Sequence, residues 1–516
     1  MNKLTLETLE RWLWDSADLM RGHIDSSDFK NYIFGLLFLK RANDQFFEEA
    51  NQAVRDDGIS LEEALEDEDY HQFFIPHNAY WSELTKKTEN IGQALDIAFS
   101  LIEENNPQLE GVMTAVHFGD TEKLPDELIA RLLQHFNKYS LANEHLENPD
   151  ILGSAYEYLI REFADDGGKK GGEFYTPKEV VKLVVNLIKP QAGDSIYDPT
   201  CGSGGMLIQS ANYIKANGGT VGKFVDAKLY GQEKNLGTWA ICKINMIVHN
   251  FKDSDIRKGD TLSSPKHLED GELMTYDRVI ANPPFSLKKW WANAEIDIKV
   301  DEKTGKEISP KYNSVVSDEY GRFKYGIPPR GYGDLAFVQH MVSVLKNSGR
   351  MGVVLPHGIL FRGGTEGKIR KGMLENDLIE AIVGLPEKLF YNTGIPASII
   401  IINKNKAKNL KNRVLFIDAS SEYKDGKNQN TLTAENISKI VDAYDGLADI
   451  DKFMRVVEMS EIKENDYNLN ISRYIDTSED EVIVDIEATM KEIAELESRE
   501  KEIDKKLSGY LKSLGF

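Results

Sequence analysis

Apolar residues recur along this chain with three different spacings, and each spacing predicts a different region. After the start signal Ser26-Ser27-Asp28, the positions Phe29, Ile33, Leu36, Leu37 and Lys40 fall at helical intervals. The chain up to about residue 165 shows no strand alternation, so an all-α amino-terminal domain is expected over 1–165. Asp165-Asp166-Gly167-Gly168-Lys169-Lys170-Gly171-Gly172 then reads as a polar, glycine-rich hinge. Short apolar runs alternate with helical patterns to about residue 420, with strands predicted at Ser195–Asp198, Lys228–Gly231, Met351–Leu355, Leu378–Val383, Ser398–Ile402 and Val414–Ile417. This alternation predicts an α/β domain over 166–475, a doubly wound sheet covered by helices on both faces. From about Glu479 the pattern becomes a heptad. Ile486, Ile493, Leu507 and Leu514 repeat every seven residues, Glu500 interrupts the series, and Leu496, Ile503 and Tyr510 follow three residues after an a position. A carboxyl-terminal helix over 476–516 could lie on its own domain or pair with another chain.

The chemistry gathers at the carboxyl ends of the predicted strands, where doubly wound sheets bind ligands. The run Val279-Ile280-Ala281 leads into Asn282-Pro283-Pro284-Phe285. The two prolines stiffen the turn and remove backbone donors. The Asn282 amide oxygen and the Pro283 carbonyl can then each accept one N–H of a planar amino group, while Phe285 offers a stacking face. Upstream, the strand ending at Asp198 is followed by Pro199-Thr200-Cys201-Gly202-Ser203-Gly204-Gly205 and a helical Met206-Leu207-Ile208, an order that brings backbone N–H groups close to a ligand. Glu233 ends the next strand and suits the two hydroxyls of a ribose; Asp260 follows in Gly259-Asp260-Thr261-Leu262, placed to accept from an adenine amino group. No Gly-x-x-x-x-Gly-Lys-Ser/Thr loop occurs. A glycine turn with three acids describes a nucleoside pocket with no need to bind phosphate, which S-adenosyl-L-methionine fits.

Taken together, Gly171-Gly172-Glu173-Phe174-Tyr175-Thr176-Pro177, Asp198 to Gly205 and Asn282 to Phe285 resemble the amino-group DNA methyltransferases, in the order of the adenine-methylating group. Leu152 to Tyr158, Gly333-Asp334-Leu335-Ala336-Phe337, Leu360 to Gly364 with Glu366, Gly384 to Phe390 and Thr393 to Pro396 narrow the resemblance to the modification subunits of type I restriction-modification systems. It covers nearly the whole chain. It implies a class I S-adenosylmethionine-dependent methyltransferase fold, Rossmann-like, with helical regions at both ends. Glu173, Phe174, Tyr175, Thr176, Pro177 and Lys178 would border the methionine moiety of S-adenosyl-L-methionine. Asp198, Gly202, Ser203, Gly204 and Gly205 would lie along the cofactor, Glu233 on its ribose and Asp260 near its adenine. Asn282, Pro283 and Pro284 would present the acceptors for the target amino group, Phe285 would stack on the flipped base, and Phe390 is a candidate for a second stacking face. The implied partners are double-stranded DNA, a specificity subunit that reads the target and docks on the carboxyl-terminal helix, a second copy of this chain, and a restriction subunit in the full complex. No metal is needed, because the methyl donor is already activated by positive charge.

Composition sets the remaining bounds. The 516 residues are too many for one core; 41% are hydrophobic and 28% charged, as in soluble globular proteins. Two cysteines, Cys201 and Cys242, give no disulfide framework and suit a reducing cytoplasm, which the resemblance implies is prokaryotic. No signal-peptide pattern opens the chain, and runs such as Ile399 to Ile402 are far short of a membrane span. Cys201 is expected to be a small loop side chain rather than a nucleophile. The net charge of −22 leaves two readings: the substrate is not DNA, or another subunit supplies much of the basic surface. Lys288-Lys289-Trp290-Trp291 and Arg322-Phe323-Lys324-Tyr325 could meet phosphates and bases, or be ordinary amphipathic loops. Rival substrates are a protein glutamine, RNA or the amino group of cytosine, and the non-enzymatic rival is a scaffold subunit with a vestigial site.

Overall fold

The computed structural model of the chain describes all residues except 1–2, 149–150, 167–175, 222–223, 252, 292–298, 301–306, 309–317, 391–393, 395, 428, 478–485 and 516. Residues Met1–Ile475 form one compact unit and Asp476–Phe516 a second.

The amino-terminal third is helical, as its periodicity predicts. Leu6–Met20 opens with the Thr5 hydroxyl accepting from the Thr8 N–H, and it buries Leu9, Trp12, Leu13, Ser16, Ala17 and Met20 at helical spacing. Ser26–Asp57 carries the predicted stripe; Lys40 lies buried on it, ion-paired with Asp44 four residues on. Acidic side chains of Ser26–Asp57 and of the later helix Ile91–Asn105 fasten the loops around them. Asp44 accepts from the Leu141 N–H at 2.6 Å, Glu48 from the Asn143 and Glu144 N–H groups at 2.8 and 2.9 Å, and Asp96 from Phe118 at 2.7 Å. Part of the large negative charge is thus used to satisfy loop donors.

Nine strands build the central sheet. In chain order they are β1 (Ser195–Asp198), β2 (Lys228–Glu233), β3 (Asp255–Lys258), β4 (Tyr276–Ala281), β5 (Leu345–Pro356), β6 (Ile379–Gly384), β7 (Ala397–Asn403), β8 (Arg413–Asp418) and β9 (Met454–Glu458). Across the sheet they run β9-β8-β6-β7-β5-β4-β1-β2-β3. From β3 to β5 all pairings are parallel; β7 is antiparallel to both β5 and β6, and β9 to β8. The order 3-2-1-4-5-7-6 with one reversed strand is the class I methyltransferase arrangement, extended here by β8 and β9.

Alternate strand residues feed two cores. Ile196, Ile280, Val354, Ile399 and Ile401 join one cluster with the helix Lys178–Ile188 and, without a break, with the amino-terminal helices. Tyr197, Val279, Ala281, Val353, Ile400 and Ile402 join the other, against the helices Asp334–Ser343 and Gly364–Glu375. Both faces are covered, so β6 and β7 are buried at every position. The helical layer meets the sheet domain through Ile151–Asp166: the buried Tyr156 hydroxyl donates to the Ile241 carbonyl at 3.0 Å, and a Cβ at Gly153 would stand 2.5 Å from the His249 ring.

The second unit contains the helix Ile486–Ser513. Within it Met490, Ile493, Leu496, Ile503, Leu507 and Tyr510 are 45% to 68% exposed. No helix among the described residues is long and apolar enough to cross a membrane.

Candidate active site

A cavity of about 610 Å³ opens at the carboxyl ends of β1, β2 and β4. Thr176, Lys178, Asp198, Gly202, Ser203, Gly205, Glu233, Asp260, Asn282, Pro283 and Pro284 all line it. Segments separated by more than a hundred residues therefore meet in one place. Glu173, Phe174 and Tyr175 lie outside the described residues.

The glycine loop is held by the acids around it. The Thr200 N–H donates to Asp198 Oδ1 at 2.9 Å, and the Cys201 N–H to the Gln232 carbonyl at 3.1 Å. Glu233 braces the loop from β2, accepting from the Gly202 N–H at 3.1 Å and the Asn235 N–H at 2.8 Å. Gly202 and Gly204 both take left-handed conformations, at φ +54° and +85°. They serve different ends: a Cβ on Gly202 would meet only the Thr200 carbonyl, at 4.0 Å, whereas one on Gly204 would stand 2.9 Å from Cys242 Sγ. Gly204 thus faces inward, and its glycine is demanded by backbone and packing. Cys201 packs on Cys242, Sγ to Sγ 3.8 Å; that thiol hydrogen bond and burial push the Cys201 thiol well up, against a nucleophilic role.

Burial pushes the Asp198 carboxyl up to about 8, with the Thr200 N–H opposing and the charge of Glu233 adding to the rise. Asp260 accepts at Oδ1 from the Leu262 N–H at 3.0 Å and at Oδ2 from Lys234 Nζ at 2.7 Å. Lys234 is mostly exposed, so it can swing away from that oxygen.

Asn282, Pro283 and Pro284 form part of the cavity wall, whereas Phe285 packs against the core beside it. Asn282 Nδ2 donates to Thr176 Oγ1 at 2.9 Å, while the buried Asn282 Oδ1 has no hydrogen-bond partner among the described residues. An orphaned buried acceptor is costly unless something fills it. Phe285 lies against Phe390, ring centroids 5.7 Å apart and tilted 65°, and Phe390 is buried. The two rings touch edge to face, so no gap for a base stands between them; Phe390 backs Phe285 rather than facing it. Pro177 caps the helix Lys178–Ile188 and lines a smaller neighbouring cavity.

The basic-aromatic segments behave differently from a free nucleic-acid surface. Arg322 is buried, paired with Asp318 at 2.8 Å, and donates to the Thr261 and Leu262 carbonyls at 3.0 and 2.7 Å. Trp290, Trp291 and Phe323 pack with Leu262 and Phe337 in a small core, leaving Lys288, Lys289 and Lys324 exposed. Of the two readings for Arg322, these contacts favour the ordinary loop: its guanidinium is a structural strap on the Thr261 and Leu262 carbonyls. Sequence reasoning assigned no role here to Lys30, Glu157 and Ile160, which the amino-terminal helices contribute to the cavity wall, nor to Phe337. Nothing local to Lys30 marks it; tertiary packing brings it there.

Comparison with known proteins identifies the family. A family model described as N-6 DNA Methylase matches residues 147–482, and one described as HsdM N-terminal domain matches 9–136. The chain is 35% identical over 532 residues to the type I restriction enzyme MjaVII methylase subunit of Methanocaldococcus jannaschii, covering 99% of this chain and 85% of that one. It is 34% identical to the HindI methylase subunit of Haemophilus influenzae, over 77% of this chain and 85% of the other. The crystal structure of a type I restriction-modification methyltransferase subunit from Streptococcus thermophilus superposes with a TM-score of 0.75 at 31% identity, covering 92% of this chain and 100% of that one.

Proposed function

Since this chain belongs to the N-6 DNA methylase family, as a methylase subunit of the type I restriction enzymes, we propose that it moves the methyl group of S-adenosyl-L-methionine to the N6 amino group of an adenine in double-stranded DNA, at a sequence read by a separate specificity subunit. One observation carries the reading. Asn282 is held by Thr176 through its amide nitrogen and leaves its oxygen buried and unpartnered among the described residues, at the wall of a nucleoside-sized cavity.

The cavity fits the donor. Gly202 and Gly205 leave open space for close approach, Asp198, Glu233 and Asp260 line one side with acceptors, and the volume of about 610 Å³ suits a ligand of this size. In this reading Glu173 to Lys178 border the methionine end, with Ser203 and Gly205 along the cofactor, while Gly204, turned inward, only shapes the loop. Glu233 takes ribose hydroxyls, and Asp260 the adenine amino group once Lys234 has swung aside. When bound, the cofactor supplies a methyl group already activated on a sulfonium.

The protein's own part is positioning. Asn282 Oδ1 and the Pro283 carbonyl accept the two N–H bonds of an extruded adenine, favouring a more pyramidal and nucleophilic nitrogen. Phe285, backed by Phe390, stacks on that base. The surplus proton leaves after transfer, so no general base of matched pKa is required. The exposed stripe of the helix Ile486–Ser513 suits docking on the specificity subunit. A second copy of this chain would complete the methyltransferase, a restriction subunit the full enzyme, and the bacterial or archaeal cytoplasm its setting.

The test is incubation with methyl-labelled S-adenosyl-L-methionine and duplex DNA, with and without the co-expressed specificity subunit, followed by nucleoside analysis. Label in N6-methyladenine that depends on the second subunit is expected. Label in RNA, protein or N4-methylcytosine would refute the reading.

A further inference from the structure

We infer that Asp334 is a positioning residue of the catalytic turn, holding Asn282–Phe285 in place from the start of a helix fifty residues downstream. The inference rests on the proposed role of that turn in methyl transfer. Because Pro283 and Pro284 carry no N–H, the turn must be fastened by later donors. The Ser286 N–H donates to Asp334 Oδ1 at 2.8 Å. Ser286 sits at φ +52°, a left-handed conformation that a serine adopts at a cost and keeps only where its surroundings hold it. A second bond doubles the clamp, from the Gly333 N–H to the Leu287 carbonyl at 3.1 Å. The approach is close at the preceding residue: a Cβ on Gly333 would lie 3.0 Å from Trp290 Cβ and 3.4 Å from Leu287 Cβ, tight contacts that a glycine avoids.

Asp334 is 0% exposed and begins the helix Asp334–Ser343, whose amino-terminal end favours a negative charge. Burial raises its carboxyl, while the Ser286 N–H and the Arg362 guanidinium pull it back. Its second oxygen, Oδ2, has no hydrogen bond among the described residues and faces Arg362 Nη1 at 3.7 Å. Arg362 in turn reaches Glu366 at 3.4 Å and lies 4.3 Å over the Tyr332 ring. One oxygen is thus committed to the turn and the other to charge balance, so the two tasks can be separated by substitution. Asp334→Ala removes both; Asp334→Asn keeps an acceptor for Ser286 and gives up the charge.

The experiment uses the complex with the specificity subunit, saturated with cofactor and target duplex. Single-turnover rate, KM for DNA, calorimetric cofactor affinity and thermal melting are read for both variants. Displacement of the reacting groups by a fraction of an ångström to an ångström lowers the rate about tenfold to a hundredfold, so Asp334→Ala is expected to fall in that range with cofactor affinity and KM within about threefold of wild type. Asp334→Asn is expected to recover the rate to within about threefold. An unchanged rate in Asp334→Ala overturns the inference. So does Asp334→Asn as impaired as Asp334→Ala, or a rate loss matched by lost cofactor affinity. If Asp334→Ala fails to melt cooperatively, Asp334→Asn decides: retained rate supports the clamp, and a loss beyond about tenfold overturns it. Wild-type complex that leaves the adenine unmethylated would instead count against the proposed reaction.

Discussion

Replacing Thr176 by valine probes how Asn282 is aimed. The substitution keeps the shape of the side chain and deletes the hydroxyl that accepts from Asn282 Nδ2 at 2.9 Å. A neutral hydrogen bond of this kind is worth about 0.5–1.5 kcal/mol net, so with the amide free to rotate the rate of transfer is expected to fall about threefold to tenfold. Removing the acceptor itself, in Asn282→Ala, should cost far more, about a hundredfold to a thousandfold by analogy with other preorganised polar groups. If Thr176 acts only through Asn282, the two losses cannot add. The double variant should transfer methyl groups at the rate of Asn282→Ala alone, giving a coupling energy equal to the whole effect of Thr176→Val. The assay is single-turnover transfer of labelled methyl to target duplex by the assembled complex. A further threefold to tenfold loss in the double variant would show that Thr176 serves some other purpose, and a Thr176→Val effect confined to cofactor affinity would place it on the donor instead.

Three further outcomes are expected. The Asp198 carboxyl stands at about 8 in the folded protein against an ordinary 3.8, so the unfolded chain gives up the proton first and stability falls as pH rises between those values. Asp198→Asn should therefore gain melting temperature relative to wild type, both without cofactor, as pH is raised from about 5 to about 8; a constant difference would contradict this. Gly204→Ala places a Cβ 2.9 Å from Cys242 Sγ at φ +85° and should lose about 1–2 kcal/mol for the backbone alone. Adding Cys242→Ala should restore only the steric share, read by denaturant unfolding. Deleting residues 480–516 should abolish co-purification with the specificity subunit while leaving calorimetric cofactor affinity intact, and an unchanged complex on size exclusion would reject the docking role.

The parts of the fold with a strong local period were legible in the sequence. The predicted strands at Ser195–Asp198, Leu378–Val383, Ser398–Ile402 and Val414–Ile417 lie within a residue of β1, β6, β7 and β8, because buried apolar runs leave little choice of structure. β3 and β9 went unpredicted: Asp-Ile-Arg-Lys and Met-Arg-Val-Val-Glu are short, charged edge strands whose pairing is set by their neighbours. Most of the cavity residues were legible because they stand in loops directly after strands, whereas Thr176 and Lys178, at the start of the helix Lys178–Ile188, were placed by the family resemblance alone. What was not legible came from packing at a distance. The sequence left Arg322 open between a cation available to phosphate and part of an ordinary loop, and packing decides for the second, since its guanidinium is consumed by Asp318 and two carbonyls. Phe390 looked like a wall opposite Phe285, yet the rings touch. Asp334 carried no sign of its grip on Ser286, because the forty-seven intervening residues hide the approach.

The central claim is that the Asn282 oxygen grips the amino group under attack and does nothing for the donor. It is tested most directly by Asn282→Ala in the assembled complex, comparing calorimetric affinity for S-adenosyl-L-methionine with the single-turnover rate on target DNA. An affinity within about threefold of wild type and a rate lower by about a hundredfold or more are expected. A rate close to wild type, or an affinity lost in step with it, would show that the Asn282 oxygen does not hold the amino group.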